Sequence, residues 1–290
     1  MPPLAVAPPV VLTIAGFDPS SGAGTTADIK TIAAHGCYGV ACITALTVQS
    51  TQGVKRVQPI AGELVRQTLQ EIAADVHIAA VRIGMLGSAT AAQAVADFLP
   101  TLPSCIVVLD PILKASSGME LLEKKGIEIL AKRLLGLATV VTPNVEEAAA
   151  LTGMQVTTIE QMKAAALQLH QLGARNVVVT GGHLDKAVDL LSMNSEGKYQ
   201  QIEFTSDRLR SNSTHGTGCA FATALAANLA LGKELQDAVV RTKAYVKQGI
   251  AHAYPLGHGV GSIHHLYRMD EQPRSAKDIA PAKGAAEGGH

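Results

Sequence analysis

The sequence predicts an α/β fold in which a parallel sheet is covered by helices on both faces. Two observations carry this expectation. Short β-branched runs alternate along the chain with longer helical stretches, and the runs are apolar throughout, as strands buried on both sides must be. A third observation bears on function. The segments Asp18–Gly24, Gly84-Met85-Leu86, Asp110-Pro111, Thr142-Pro143-Asn144 and Gly181-Gly182-His183 each follow a predicted strand. Ligands of open α/β sheets bind beyond the carboxyl ends of the strands, so these segments are expected on one functional face.

Taken in order, a buried strand is expected at 10–15 and a helix at 26–34, after a Gly-rich turn. A second apolar run covers 40–46, the polar stretch 49–53 reads as a loop, and 54–60 as an extended segment. Helix 63–73, strand 80–83 and helix 90–98 follow, then strand 105–109, helix 121–135, strand 139–141 and helix 145–151. Helix 159–172 leads to strand 176–180, with weaker strands near 188–193 and 199–204 and closing helices at 218–231 and 235–253. Neither a linker nor a repeat interrupts the pattern, which predicts one domain over 10–268. The Pro-rich leader 1–9 and the tail 269–290, rich in Ala, Gly, Lys and Glu, are expected to be disordered.

Composition excludes several classes. Lys plus Arg and Asp plus Glu both count 24 in 290 residues, so no net field recruits nucleic acid or an anionic membrane. With no Trp and 3% aromatics, the core should be aliphatic. Cys37, Cys42, Cys105 and Cys219 show neither disulfide nor metal-ligand spacing and fit a reducing cytoplasm. The leader carries no basic residue, and no apolar run reaches membrane-spanning length, so a cytoplasmic protein is expected.

The most informative motif is His215-Gly216-Thr217-Gly218-Cys219, opening the small-residue stretch 220–231. Glycines allow a tight turn, and the amides beginning a helix, with its dipole behind them, form a site for an anion such as phosphate. A thiol there is expected to have a lowered pKa and could act as a base. The same pattern also suits a Gly-rich helix entry whose cysteine merely packs.

The motifs together resemble the hydroxymethylpyrimidine/phosphomethylpyrimidine kinase family. The resemblance lies in 14–24 (IAGFDPSSGAG), 27–31 (ADIKT), 43–51 (ITALTVQST), 83–86 (IGML), Asp110-Pro111, 142–148 (TPNVEEA), 214–219 (THGTGC) and 255–259 (PLGHG). The motifs keep the family's order and span roughly 10–267. The resemblance implies a ribokinase-like three-layer α/β/α sandwich with a central, mostly parallel sheet. It also implies an Mg-ATP-dependent homodimeric enzyme of thiamine biosynthesis, which phosphorylates 4-amino-5-hydroxymethyl-2-methylpyrimidine and then its monophosphate.

Residue by residue, the resemblance makes Cys219 the base and Gly216, Thr217 and Gly218 the phosphate cradle. Gln49 would read the pyrimidine, whose edge asks for a group that both donates and accepts. Asp28 would hold a substrate hydroxyl or favour a helix dipole, and Gly16, Met85 and Ile112 would lie near the ring. Asn144 and Glu147 carry two compatible readings: N-x-x-E is a helix capping box, and the superfamily uses it to organise Mg²⁺ through water. Asp110 would contact metal or phosphate, or end a strand in an ordinary turn. Gly182 and Lys243 would lie near the nucleotide. His258, His264 and His265 read as loop and tail histidines, with no acidic or cysteine partner patterned around them.

Two positions depart from the pattern. Thr180 stands where relatives often have a lysine that could contact phosphate, a loss Lys114 could offset, and Phe17 stands where a smaller or polar residue is frequent. By composition, 20–24 and 114–118 are the expected lids. The rival readings are a pyridoxal or pyridoxine kinase, a non-catalytic vitamin-binding module of the same fold, and a thiol hydrolase using Cys219.

Overall fold

Nine strands form one sheet among the described residues: β1 (Val10–Phe17), β2 (Tyr38–Ser50), β3 (Gly53–Pro59), β4 (Ile78–Ile83), β5 (Ile106–Leu109), β6 (Val140–Val141), β7 (Asn176–Gly181), β8 (Ala187–Ser195) and β9 (Lys198–Ser206). The order is β3-β2-β1-β4-β5-β6-β7-β8-β9. From β2 to β7 neighbouring strands are parallel, while β3 at one edge and β8 and β9 at the other pair antiparallel. The structure is a computed structural model and describes residues 6–115, 118–182, 187–206 and 211–269. Most of the leader (1–5) and of the tail (270–290) lies outside the described residues, as do His183 and part of the expected 114–118 lid.

Helices cover both faces because successive strand residues point to opposite sides. Val11, Ala80, Val108, Val140, Val178 and Leu191 share one core with α1 (Gly24–Ala34), α8 (Thr217–Ala230) and α9 (Leu235–Ala251). Leu12, Val81, Val107, Val141 and Val177 share the opposite core with α2 (Gly62–Asp75), α3 (Ala89–Phe98), α6 (Val145–Thr152) and α7 (Ile159–Gln171). The same core takes α4 (Lys124–Ile129), which runs through a π-turn at Leu130–Leu134 into α5 (Leu135–Leu137). Every central strand therefore loses both faces to packing, worth about 1.5–3 kcal/mol per large aliphatic side chain. This is the three-layer sandwich that the apolar strands predict.

Several element bounds shift by one or two residues, and two stretches differ in kind. Gln49 lies in β2, not in a loop, because β2 continues for 13 residues and pairs with β3. That ribbon runs at the sheet edge, half exposed, so its residues alternate and need not be apolar. The helix expected from 121 begins at Lys124. Leu121 and Leu122 are buried, but the Leu121 amide donates to the Leu113 carbonyl, which holds them in extended chain. The last helix ends at Ala251, two residues early.

β2 lies on one side of β1 and β4 on the other, so the direction of winding reverses at β1. Beyond this point the ladder continues: the amide of Gly84 donates to Ile14, that of Asp110 to Ile83 and that of Thr142 to Leu109. The expected functional segments are thus aligned side by side.

Candidate active site

The turn before α8 depends on glycine. Gly216 has φ +77°, and a Cβ there would overlap the carbonyl oxygen of Gly22. The 18–24 loop is thereby pressed against the α8 N-terminus, where Thr217, Gly218 and Cys219 form the first turn. Gly218 has open space where a side chain would be. The amides and the positive end of the helix make this turn suitable for an anion.

Cys219 is buried, and this reverses the expected thiol chemistry in the unliganded protein. Burial pushes its pKa up to about 11, with Asp110 and Asp28 adding to the rise, while Arg82 and the Gly24 amide oppose it. Desolvation outweighs the helix start.

Beneath the thiol lies a charge cluster that the motifs did not reveal. Arg82, fully buried in β4, bonds Asp28 Oδ2 at 3.0 Å through Nη1 and Asp110 Oδ2 at 2.6 Å through Nη2. Asp28 also accepts from Thr13 Oγ1 at 2.6 Å and from Thr223 Oγ1 at 2.7 Å. Its carboxylate therefore faces the sheet and α8 as part of the cluster. Gly84 makes room, since a Cβ there would overlap Arg82 Nη1. One sequence signal could have found the cluster: a lone arginine in an otherwise apolar strand requires a buried acid.

Asp110 and Glu147 both hold their protons more tightly than free carboxyls, Asp28 adding to the rise at Asp110. Burial is the main cause for both; Asp110 is held up to about 6, although Arg82 lowers it. Glu147 is pushed up to about 8, with Asp110 adding to the rise and the Asn144 amide opposing it. The capping box is complete, the Asn144 side chain accepting from the Glu147 amide at 2.8 Å and Glu147 Oε2 from the Asn144 amide at 2.9 Å. Among the described residues no group of three or more His, Cys, Asp or Glu side chains could hold a metal by itself. Two mutually repelling carboxylates do suit Mg²⁺, which prefers oxygen donors and keeps several waters.

On the other side of the turn, Gly16 and Met85 are packed together, a Cβ on Gly16 falling 2.8 Å from the Met85 sulfur. Met85 clusters with Ala45 and Leu121, and Ile112 packs against them. Gln49 reaches the α8 turn, its amide 3.3 Å from His215 Nε2. Phe17 ends β1, its carbonyl accepting from Thr47 Oγ1 at 2.9 Å.

Lys243 is ion-paired with Asp189, whose Oδ1 accepts from the Gly181 amide, and it donates to the Phe204 carbonyl at 2.8 Å. This ties it to the antiparallel edge. Gly182 is exposed just past β7, where the Thr180 amide donates to the Pro143 carbonyl beside Asn144. Lys114 forms a bridge to Glu120 through its backbone. Of the three histidines, His258 is exposed and His264 stands edge-on to Tyr254. His265 is buried, not a solvated tail residue, with Nδ1 3.1 Å from Thr31 Oγ1 and its carbonyl accepting from Tyr245.

The family profile described as phosphomethylpyrimidine kinase matches residues 18–264. Over 259 residues the chain is 40% identical to a hydroxymethylpyrimidine/phosphomethylpyrimidine kinase of Haemophilus influenzae, covering 88% of this chain and 96% of that protein. It is 41% identical over 261 residues to a thiamine biosynthesis bifunctional protein of Geobacter sulfurreducens, covering 90% of this chain but only 53% of that relative. Among solved structures, the Staphylococcus aureus pyridoxal kinase in complex with AMP-PCP and pyridoxal superposes with a TM-score of 0.81 at 33% identity, covering 91% of this chain and 96% of that one. The phosphomethylpyrimidine kinase from Clostridium difficile 630 gives 0.72 at 34%, covering 83% and 99%. A profile match running from the 18–24 loop to beyond the α8 turn takes in nearly every residue described above, and the chain belongs to the phosphomethylpyrimidine kinase family.

Proposed function

We propose that the chain transfers a phosphoryl group from Mg-ATP to the hydroxymethyl group of 4-amino-5-hydroxymethyl-2-methylpyrimidine, and then to the monophosphate so formed. The observation that carries this reading is the Gly216–Cys219 turn, which puts a thiol and an anion cradle at the positive end of α8. When bound, Mg²⁺ supplies charge neutralisation for the phosphates.

The chain's own residues have separable tasks. The amides of Gly216, Thr217 and Gly218 hold the transferred group where charge develops. Arg82 favours the thiolate form of Cys219, which takes the hydroxymethyl proton and becomes the neutral thiol. Asp110 and Glu147 offer carboxylates to the cation, Asn144 fixing Glu147 through the capping box. Gly182 and Lys243 flank the nucleotide side. Gln49 reads the ring edge, with Gly16, Met85 and Ile112 as its apolar bed. The working unit is taken as a cytoplasmic homodimer of the 10–268 domain.

Pyridoxal phosphorylation is the second reading, favoured by the high structural similarity to a pyridoxal kinase. The named sequence relatives at 40% identity favour the pyrimidine. Product formation from hydroxymethylpyrimidine, its monophosphate and pyridoxal, compared side by side with Mg-ATP, tests both. Conversion of the pyrimidine through to the diphosphate is expected. Turnover of pyridoxal alone would move the activity to vitamin B6, and silence with all three would leave a binding module.

A further inference from the structure

We infer that His215, held by Asp18, acts with Thr47 to fix the Gln49 side-chain amide in one orientation, making all three positioning residues for recognition of the substrate ring. The inference rests on the reading that Gln49 faces that ring.

His215 Nε2 lies 3.0 Å from Asp18 Oδ2. Asp18 is an acceptor throughout: Oδ1 takes the Ser20 amide at 2.8 Å and the Ser20 hydroxyl at 2.7 Å, and Oδ2 takes the Ala23 amide at 2.9 Å. A carboxylate has no proton to give, so the proton must sit on His215 Nε2. The ring is held in place as well. The His215 amide donates to the Gly261 carbonyl at 3.0 Å, and the ring lies so close to Gly22 that a Cβ there would overlap its Cδ2.

The amide end assigned as Nε2 of Gln49 lies 3.3 Å from this same nitrogen, and the end assigned as Oε1 lies 3.2 Å from Thr47 Oγ1. The two ends have the same shape, so the partners decide between them. An NH₂ group facing a protonated Nε2 would set two donors against each other. Thr47 Oγ1 has one proton and two acceptors in reach, the Phe17 carbonyl at 2.9 Å and the Gln49 end at 3.2 Å; given to the nearer, it leaves that oxygen only as an acceptor. Both neighbours therefore select the same arrangement, with Oε1 toward the Nε2–H that His215 shares with Asp18 and NH₂ toward Thr47.

One amide N–H and one Oε1 lone pair remain for the ligand, in fixed order. An edge made of a ring nitrogen beside an exocyclic amine matches one order, and an edge made of a ring N–H beside a carbonyl needs the reverse. A free amide would turn to suit either edge. A fixed amide discriminates between them.

The test compares kcat/KM for 4-amino-5-hydroxymethyl-2-methylpyrimidine and its 4-oxo analogue. Both substrates use the same anion turn, so damage to that turn cancels in the ratio. The wild-type protein is expected to favour the amine by at least about 100-fold. His215→Phe and Asp18→Asn should each cut that ratio at least about tenfold, mainly through KM, with Gln49→Ala as the control. Asp18→Asn keeps the shape but removes the charge that holds the His215 Nε2–H; it decides alone if His215→Phe does not fold. A ratio unchanged in the folded His215 and Asp18 variants, while Gln49→Ala collapses it, overturns the inference and leaves the Gln49 reading standing. A Gln49→Ala variant with unaltered KM and ratio overturns both.

Discussion

Cys219 shows how two local forces compete at one residue. A helix start favours the thiolate, burial disfavours it, and burial prevails with a pKa near 11. Alkylation of Cys219 in the unliganded protein, followed by peptide mass analysis from pH 7 to 11, should therefore be slow at neutrality and rise across the range. A plateau by pH 8 would contradict the buried thiol. Cys219→Ala should slow the first phosphorylation by about 10²–10⁴-fold and the second far less, because the monophosphate is already an anion. Equal single-turnover losses in both steps would reduce Cys219 to a packing role. Arg82 gives a stability prediction. Arg82→Met strands Asp28 and Asp110 in the core and should cost about 3–5 kcal/mol in urea unfolding, and Gly84→Ala should destabilise through the same guanidinium. A loss below about 1 kcal/mol for Arg82→Met would mean that water reaches the cluster. The thiol and the Asp-Pro strand end were legible in the sequence because each sits in a short motif. Arg82 was not, since its partners come from β1–α1 and β5, 54 and 28 residues away.

At the scale of elements, α6 would join folding to the proposed cation binding. Its first turn is closed by Asn144 and Glu147, and burial beside Asp110 raises the Glu147 carboxyl from 4.5 to about 8. The unfolded chain releases this proton near 4.5 and the folded chain only near 8, so the folded state binds more protons in between. Its stability contribution is full below the lower value and is lost as pH rises through the upper one. The thermal midpoint should fall from pH 5 to 8 more steeply in the wild type than in Glu147→Gln. Millimolar Mg²⁺ needs the ionised carboxylates, so its stabilising effect should be larger at pH 8 than at pH 6. Equal Mg²⁺ effects at the two pH values would detach Glu147 from the cation. The sequence shows this element twice over, as capping box and as family motif, because both need the same N-x-x-E spacing. It showed less at β2 and before α4. Gln49 sits in a ribbon whose strand character comes from pairing with β3, and Leu121 is held extended by Leu113, so neither is decided by local pattern.

At the scale of the molecule, the sandwich was legible because alternate residues of every central strand serve opposite cores, and this leaves a continuous apolar signature in the sequence. The sheet edges left no such signature. At one of them β2 and β3 form a ribbon in which Leu46 and Val48 are 45% and 56% exposed. Leu46 and Val48 are two residues apart and share a face, opposite Gln58 and Arg56 of β3. An edge carrying exposed aliphatic side chains invites pairing unless a partner covers it. Since Gln49 follows Val48 on the same strand, a subunit seated on this ribbon would also steady the residue proposed to read the ring. If the homodimer forms here, Val48→Asp should shift the light-scattering mass at micromolar concentration from dimer to monomer. It should also raise KM for the pyrimidine, because the ribbon that carries Gln49 loses its support. A dimeric mass retained by Val48→Asp would move the interface elsewhere on the molecule, and a monomeric wild type would remove the homodimer altogether.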